Sequence, residues 1–538
     1  MTAKSVRATL AADQELGAGN VLTTLMAQGI GLDRPTLTFD TNVDGIVPAW
    51  QALPLWQLDD RVRARAATLA ALGIGRRDPV AVTATLGADV VLTFLALSRL
   101  GAIPALLNAK VAPDLAALYL SRLRAVALIA DEDRRAALAD HDIGITRVIE
   151  IEGLGAGDPD AAPPAYRHHS DDPVAITHSS GTTGVPKAVV HSHESMYAAI
   201  RHRLRMPKAQ GTERMLSALP VPHVATLIAL NLALSNQTEL LVLSSQTGPT
   251  VLDAVESWRP TGVLGFAATW ADLAHHDLAQ RDFGSVALWW NTGDCAHEAH
   301  IRRLVAVGNR TVATAEGRVT RPGSVFIDGL GSSEMGHSHF FITHTPETER
   351  YGRCVGRAHT FADLKVLDPE GNELPVGEVG ELGTKSPTLA LGYWNDSVTT
   401  FRTRINGYFL TGDLVYRDED GYFYHLDRLV DSVDLGGGKR LYTAMSEEHI
   451  LAACPDVVDC TVSAVREDGV VVTDVMLQLV ENADPAENRT DRVLAALDPA
   501  VAATVRRVSV VADESIPHGP TGKVRKFRLR ELQTQGAR

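Results

Sequence analysis

The segment from Val174 to His193, VAITHSSGTTGVPKAVVHSH, constrains this chain more than any other. It opens on an apolar run, Val174 to Ile176, that reads as a buried strand. It then breaks into Ser179, Ser180, Gly181, Thr182, Thr183 and Gly184. Pro186 and Lys187 close the loop, and a second short apolar strand follows at Ala188 to Val190. Small residues in a row between two strands cannot pack a core. They present backbone N–H groups and hydroxyls, and the glycines permit dihedrals that a branched residue resists. A phosphate chain fits such a cradle, with Lys187 as a point charge. The spacing is not G-x-x-x-x-G-K-[ST], because no Ser or Thr follows Lys187, and there is no G-x-G-x-x-G. A plain polar surface turn is the competing reading. The Gly-x-Pro-Lys exit into another apolar strand argues against it.

At 538 residues the chain exceeds one ordinary core, and two or three domains are expected. The net charge of -14 and the lack of a long basic run argue against a nucleic-acid groove, though small anions can still bind locally. Cys295, Cys354, Cys454 and Cys460 form no C-x-x-C pair, and their spacing fits neither a zinc site nor a secreted disulfide framework. A reducing cytoplasm is the expected home. The start, MTAKSVRATLAADQ, lacks a signal-peptide core, and no apolar stretch is long enough to span a membrane. The H-x-H pairs His191/His193 and His337/His339 come without H-E-x-x-H, so no transition-metal site is expected.

Along the chain, residues 1–50 read as irregular apart from a short strand at Pro35 to Phe39. From Leu53 a helical pattern runs to Gly73, and strands and helices then alternate to residue 151. Residues 152–173 read as a linker. Residues 75–150 and 174–335 look like two αβ repeats with largely parallel sheets. From about 345 to 427 the texture changes to short alternating strands, with a hairpin signal at DEDG. The glycine-rich stretch 427–440 precedes a separate α+β pattern of about 100 residues. The expected class is α/β: a large N-terminal domain, 1–430, of two αβ subdomains plus a small β subdomain at about 345–427. A mobile α+β C-terminal domain, 431–538, follows.

Other clusters carry chemistry. GSSEMG, 331–336, follows an apolar strand. Glu334 there could hold a magnesium ion bridging phosphates, or Ser332 or Ser333 could open a helix-capping box. TGD at 411–413 ends a strand, and a carboxylate such as Asp413 can accept two vicinal hydroxyls. NTGDC, 291–295, is a tight turn before a helix, and Cys295 could be read as a nucleophile. Near the end, PTGKVRKFRLREL offers either a basic tail or a single placed lysine, Lys523.

SSGTTGVPK closely resembles the signature loop of the adenylate-forming superfamily, which includes acyl- and aryl-CoA ligases, peptide-synthetase adenylation domains and luciferases. The remaining motifs follow in that family's order, and the resemblance covers roughly residues 35–532. It implies that Ser179 to Gly184 and Lys187 hold the ATP phosphates, that Glu334 serves Mg2+, and that Asp413 and Arg428 reach the nucleotide. It implies that Gly293, Asp294, Cys295, Leu330, Gly331, Ser332 and Ser333 line the adenine and acyl pockets. His223, in PVPH, would line the carboxylate site, Asp431 would be the hinge, and Lys523 would approach the carboxylate and α-phosphate. The chain departs from the family at Leu330, where an aromatic is usual, at Cys295, and at Asp434, where a lysine is usual.

The reaction the resemblance implies is adenylation of a small aryl or apolar carboxylate with pyrophosphate release, then transfer to a thiol, with coenzyme A as the first choice. Trp289, Trp290 and Phe266 are expected near the pocket. A carrier-protein thiol and an amine are alternative acceptors. Some relatives in natural-product pathways activate nitrite and pass it to an aryl amine, giving a diazo product, and the departures leave room for that route. A catalytically weak scaffold that inherited the fold is a further alternative.

Overall fold

The computed structural model describes residues 3–179 and 184–536, so Ser180, Gly181, Thr182 and Thr183 of the signature loop lie outside the described residues. The strand–helix alternation becomes two sheets. In the first, described strands run in the order 392–393, 188–192, 173–178, 103–106, 79–83, 127–130, 148–150. Pro173–His178 lies parallel to Ile103–Leu106 and antiparallel to Ala188–Ser192. The glycine-rich loop therefore joins an antiparallel pair inside the first sheet. The reading that opened the second repeat at residue 174 is corrected here. An apolar run states that a strand is buried but not which neighbour it pairs with.

The second sheet is a parallel stack of 35–39, 239–242, 214–217, 262–265, 288–291 and 325–328. It continues through antiparallel strands at 340–344, 354–358, 423–428, 408–417, 380–385 and 363–367. The β region expected near 345–427 is thus hydrogen-bonded in series onto the parallel strands. Consecutive parallel strands end on one edge, and the turns that follow them gather there. Asn291 and Asp328 close two neighbouring strands of that edge.

The N-terminal stretch is not irregular. Helices occupy Ala3–Ala12 and Val21–Ala27, with Val6 and Leu10 buried one turn apart. Helices this short carry little local signal, and tertiary packing stabilises them. A hairpin at 309–322, also unanticipated, is largely exposed.

Toward the C-terminus, strands Val457–Glu467, Val470–Leu479 and Val505–Val510 pack against the helix Thr443–Ala453 around Ile450, Val462, Val475 and Leu477. This unit touches the larger body at named points. His297 Nδ1 lies 2.6 Å from Glu448 Oε2, and His300 Nε2 donates to the Val458 carbonyl at 2.8 Å. Among the described residues no helix is long and apolar enough to cross a membrane. The four cysteines are buried and unpaired with one another.

Candidate functional site

The stem of the signature loop is closed by two hydrogen bonds. Ser179 N donates to the Lys187 carbonyl at 2.9 Å, and Lys187 N donates to Ser179 Oγ at 3.0 Å. Gly184 has φ +138°. The register Tyr393↔Val189 brings Tyr393 against the strand that follows the loop. Lys187 Nζ sits 5.2 Å from the centre of the Tyr393 ring, and the Tyr393 hydroxyl donates to Glu334 Oε1 at 2.9 Å. Tyr393, which sequence reasoning missed, therefore joins Lys187 to the candidate metal carboxylate Glu334. A turn, not a helix, occupies 333–335, so the capping-box reading of Ser332 and Ser333 is set aside. Among the described residues no three His, Cys, Asp or Glu groups gather to hold a metal. Mg2+ keeps water and substrate phosphates as most of its ligands and needs one or two carboxylates from the protein, a place Glu334 would take.

The antiparallel register Asp413↔Arg428 sets the next pair face to face. Arg428 Nη1 lies 3.2 Å from Asp413 Oδ1. Gly412 is left-handed at φ +76°, and a Cβ there would stand 3.2 Å from Arg428 Nη2. Behind Asp413 lies His425, with Nε2 3.4 Å from Asp413 Oδ1. Arg353 Nη2 donates to His425 Nδ1 at 2.8 Å, and Arg353 Nε donates to the His425 carbonyl at 3.0 Å. A guanidinium can only donate, so Nδ1 accepts and the ring proton sits on Nε2, toward Asp413. Burial opposes ionisation of Asp413, but Arg428 and His425 hold its carboxyl below the usual range. Neither Arg353 nor His425 stands out in the sequence, since nothing local marks a buried cation placed behind a carboxylate.

Lys523 arrives from the C-terminal unit. Its Nζ lies 3.3 Å from Asp294 Oδ2, while Arg353 Nη2 stands 3.9 Å from Asp294 Oδ1. Burial pushes the Asp294 carboxyl up, yet Lys523, His425, Arg353 and Arg428 together keep it well below the ordinary carboxylate range. The loop that carries Lys523 is held by Asn108, whose Nδ2 donates to the Pro520 carbonyl at 3.1 Å. Asn108 N in turn donates to His178 Nε2 at 3.1 Å, at the end of the strand that enters the signature loop. Gly522 is left-handed at φ +80°, and a Cβ there would stand 3.0 Å from that of Ala268.

His223 caps the helix Val224–Asn236. Its Nδ1 accepts from Ala225 N at 3.1 Å, so Nε2 carries the proton and faces Ser333 Oγ at 3.4 Å. Burial, with His178, Lys523 and His191 adding to it, pushes the imidazole down to about 3. The ring is neutral at physiological pH and lies 4.9 Å from the Phe266 ring. Gly331 N donates to the Gly293 carbonyl at 3.1 Å, which joins the two turns expected to line the pocket.

Cys295 is buried with Leu330, Phe340 and Val355 in one apolar cluster. Burial raises its thiol well above the ordinary range, and Sγ lies 3.6 Å from Asp328 Oδ2, a carboxyl that burial lifts to about 6. A nucleophilic role needs a thiolate, so that reading is set aside. Trp289 is also corrected. It faces the opposite side of the strand from Trp290, donating Nε1 to the Leu304 carbonyl at 3.0 Å, because successive strand residues point to opposite faces.

At the expected hinge, Arg530 Nη1 lies 2.7 Å from Asp431 Oδ1. Lys526 Nζ bonds Glu447 Oε1 at 2.7 Å and Thr443 Oγ1 at 2.8 Å, and Thr443 in turn bonds Asp427. The basic C-terminal segment is therefore ion-paired here. Asp434 Oδ1 accepts from Gly436 N at 2.8 Å in a hairpin whose turn, Gly436 to Gly438, is left-handed throughout.

Comparison with known proteins places these contacts in a wider setting. The family described as AMP-binding enzyme matches residues 35–394. A 3-aminoavenalumate diazotase from a Streptomyces species is 43% identical over 99% of this chain and 98% of its own length. A 3-hydroxybenzoate–CoA ligase from an Aromatoleum species is 24% identical over 95% of each chain. Among solved structures, the anthranilate CoA ligase AuaEII in complex with anthranoyl-AMP superposes with a TM-score of 0.83 at 20% identity, covering 100% of both chains.

Proposed function

Because this chain belongs to the AMP-binding, adenylate-forming enzymes and is closely related to the acyl- and aryl-CoA ligases, we propose that it uses ATP and Mg2+ to activate nitrite and pass it to an aryl amine. The observation that carries this reading is the 43% identity to a diazotase across 99% of the chain. The CoA ligases share the AMP-forming chemistry at lower identity, 24–29%. Adenylation with pyrophosphate release stands as anticipated. The first choice of acceptor, coenzyme A, gives way to the amine.

In the first half-reaction a nitrite oxygen attacks the α-phosphorus, pyrophosphate leaves, and a mixed anhydride with AMP forms. Lys523, poised beside Asp294, offsets the charge that develops as the anion attacks. Lys187 and the signature loop hold the leaving phosphates, and Glu334 supplies the protein ligand to Mg2+. Asp413, kept ionised by Arg428 and His425, accepts the ribose hydroxyls. In the second half-reaction the amine nitrogen attacks the nitrogen of the anhydride and AMP leaves with the N–O bond broken. Two proton shifts and loss of water then leave the aryl diazo group. Neutral His223, with Nε2–H toward Ser333, lines this step without repelling an amine or trapping the anion as a charged pair. The unit from residue 431 onward acts as the mobile domain that presents Lys523.

A second reading keeps a carboxylate as the activated acid and a thiol, of coenzyme A or a carrier protein, as the acceptor. The extensive likeness to aryl-CoA ligases favours it. One experiment separates the two. Pyrophosphate release is followed with a panel of aryl amines, with and without nitrite, and with a panel of carboxylates, with and without coenzyme A. Products are identified by mass. Release that requires nitrite and yields a diazo product supports the proposal. Release that requires a carboxylate and yields an acyl thioester overturns it in favour of the second reading.

A further inference from the structure

Arg203 lies in the last turn of the helix Ser195–Arg205. Its backbone is pinned from outside, where Arg7 Nη2 donates to the carbonyls of Arg203 at 2.8 Å and Met206 at 2.7 Å. Its side chain turns inward. The guanidinium lies over Trp290, with Cζ 4.5 Å from the ring centre, and Nε donates to His337 Nε2 at 3.3 Å.

A guanidinium carries five N–H donors. Only Nε has a partner among the described residues, and no described carboxylate is in ion-pair reach of Arg203. Burial alone pushes this group down, to about 10, with no carboxylate counteracting it. The surrounding titratable groups make matters worse for a lone cation. His202 shares its helix, and His337, His339 and His359 come from packed elements. His337 and His359 are held neutral by burial, and the Arg203 charge adds to that effect. A guanidinium partly withdrawn from water is costly to leave without a counter-ion. Yet Arg203 and His337 both retain accessible surface, so they line a space and are not sealed in the core.

That space adjoins the proposed reaction centre. His337 directly follows the turn whose Ser333 faces His223 and whose Glu334 meets Tyr393. Trp290 lies on the strand that leads to Asp294, and it shares one apolar cluster with Phe266 and Leu227. Trp290 and Asp294 are four residues apart along one strand and the turn that follows it, so Arg203 and the Lys523–Asp294 contact are tied to the same edge of the parallel sheet.

We propose that Arg203, stacked on Trp290 and braced by His337, is a specificity-determining residue that receives a carboxylate carried by the aryl amine at the end remote from its amino group. The inference rests on the reading that an aryl amine is the acceptor. The substrate class is then an aminoaryl acid about one ring and a short side chain long. Its acid group supplies the missing counter-ion, and its ring lies along Trp290 and Phe266. A guanidinium suits this task because its planar fork bonds a carboxylate in two places.

The test compares aminobenzoic and aminocinnamic acids with their primary amides on the full-length protein. Binding is measured first, by quenching of tryptophan fluorescence with neither ATP nor nitrite present, and then kcat/KM for nitrite-dependent product. The wild type is expected to prefer acid over amide by ~10–100-fold, and R203M to lose most of that preference while R203K keeps part of it. Equal affinity of the wild type for acid and amide overturns the inference and needs no variant, so it holds even if R203M folds poorly. A preference that survives in R203M overturns it as well. An acid preference in binding with no nitrite-dependent product leaves Arg203 standing and sinks diazotisation. Diazo product formed equally well from acid and amide does the reverse.

Discussion

Lys523 and Asp294 stand 3.3 Å apart across two separately built parts of the chain. The aspartate belongs to a turn at the edge of the parallel sheet, and the lysine to a loop near the C-terminus that Asn108 anchors through the Pro520 carbonyl. The contact holds an ammonium beside the carboxylate of the candidate site. Such preorganised charge is what stabilises a developing anion in a partly dry site.

Replacing Lys523 by alanine is therefore expected to slow pyrophosphate release by ~10²–10³-fold, the usual loss for one preorganised electrostatic group. ATP affinity should change little, because the phosphate loop and Asp413 are untouched. Stopped-time pyrophosphate assays and equilibrium nucleotide binding read the two quantities. Loss of ATP binding in K523A would reassign the lysine to nucleotide binding.

Asp413→Asn should weaken nucleotide binding by ~10–100-fold, since hydrogen bonds to a charged group contribute about 1.5–3 kcal/mol. His425→Leu, which removes the ring behind Asp413, should produce a smaller loss in the same direction. The Asp413 carboxyl is held below the ordinary range, so its contribution is present above that range and disappears only as pH falls through its lowered folded value. That contribution to ATP affinity should accordingly stay flat from pH 8 down to pH 5. A titration near pH 6 in the ratio of wild-type to D413N Kd values, which cancels the ionisation of ATP itself, would contradict the assignment.

Glu334→Gln keeps the shape and the Tyr393 bond but removes the charge offered to the metal. The Mg2+ concentration giving half-maximal activity should rise at least tenfold, with ATP affinity in excess metal much less affected. Tyr393→Phe should shift the same metal curve modestly, because it frees the carboxylate from its one described partner. An unchanged metal curve in E334Q would exclude the carboxylate as a ligand.

Stability should fall on mild acidification for a reason separate from catalysis. His191 and His339 are buried and pushed down to about 3, and His344 to about 4. A histidine with a depressed folded value gains no proton in the native state below pH 6.5, while the unfolded chain does. Native stability is thus complete above about pH 7 and is lost as pH falls from 6.5 toward those folded values, up to about 2 kcal/mol per histidine at pH 5. Thermal melts should show a constant Tm from pH 7 to 8 and a steady decline from pH 6 to 4.5. His344→Phe should reduce that slope, as neither His344 nitrogen has a hydrogen-bond partner to lose.

Much of this molecule could be read from the linear chain. The SSGTTGVPK motif, the carboxylates Glu334 and Asp413, Arg428 and the C-terminal Lys523 can be picked out as candidates because each depends on residue type and spacing inside a few neighbouring positions. The strands Pro35–Phe39 and Pro173–His178 and the helix Val224–Asn236 are legible for the same reason: local hydrophobic period sets local conformation. Tertiary structure alone decided what stands next to what. It assigned the signature hairpin to the first sheet, turned Trp289 and Trp290 into different apolar clusters on opposite faces of their strand, and buried Cys295 beside Asp328. It placed Arg353 and His425 behind Asp413, Tyr393 between Lys187 and Glu334, and Arg203 over Trp290 without a counter-ion among the described residues. Those relationships join residues far apart along the chain. They arise from the packing of whole sheets and helices, and a pairing partner, a burial state or an electrostatic neighbour leaves no mark on the few residues around either member.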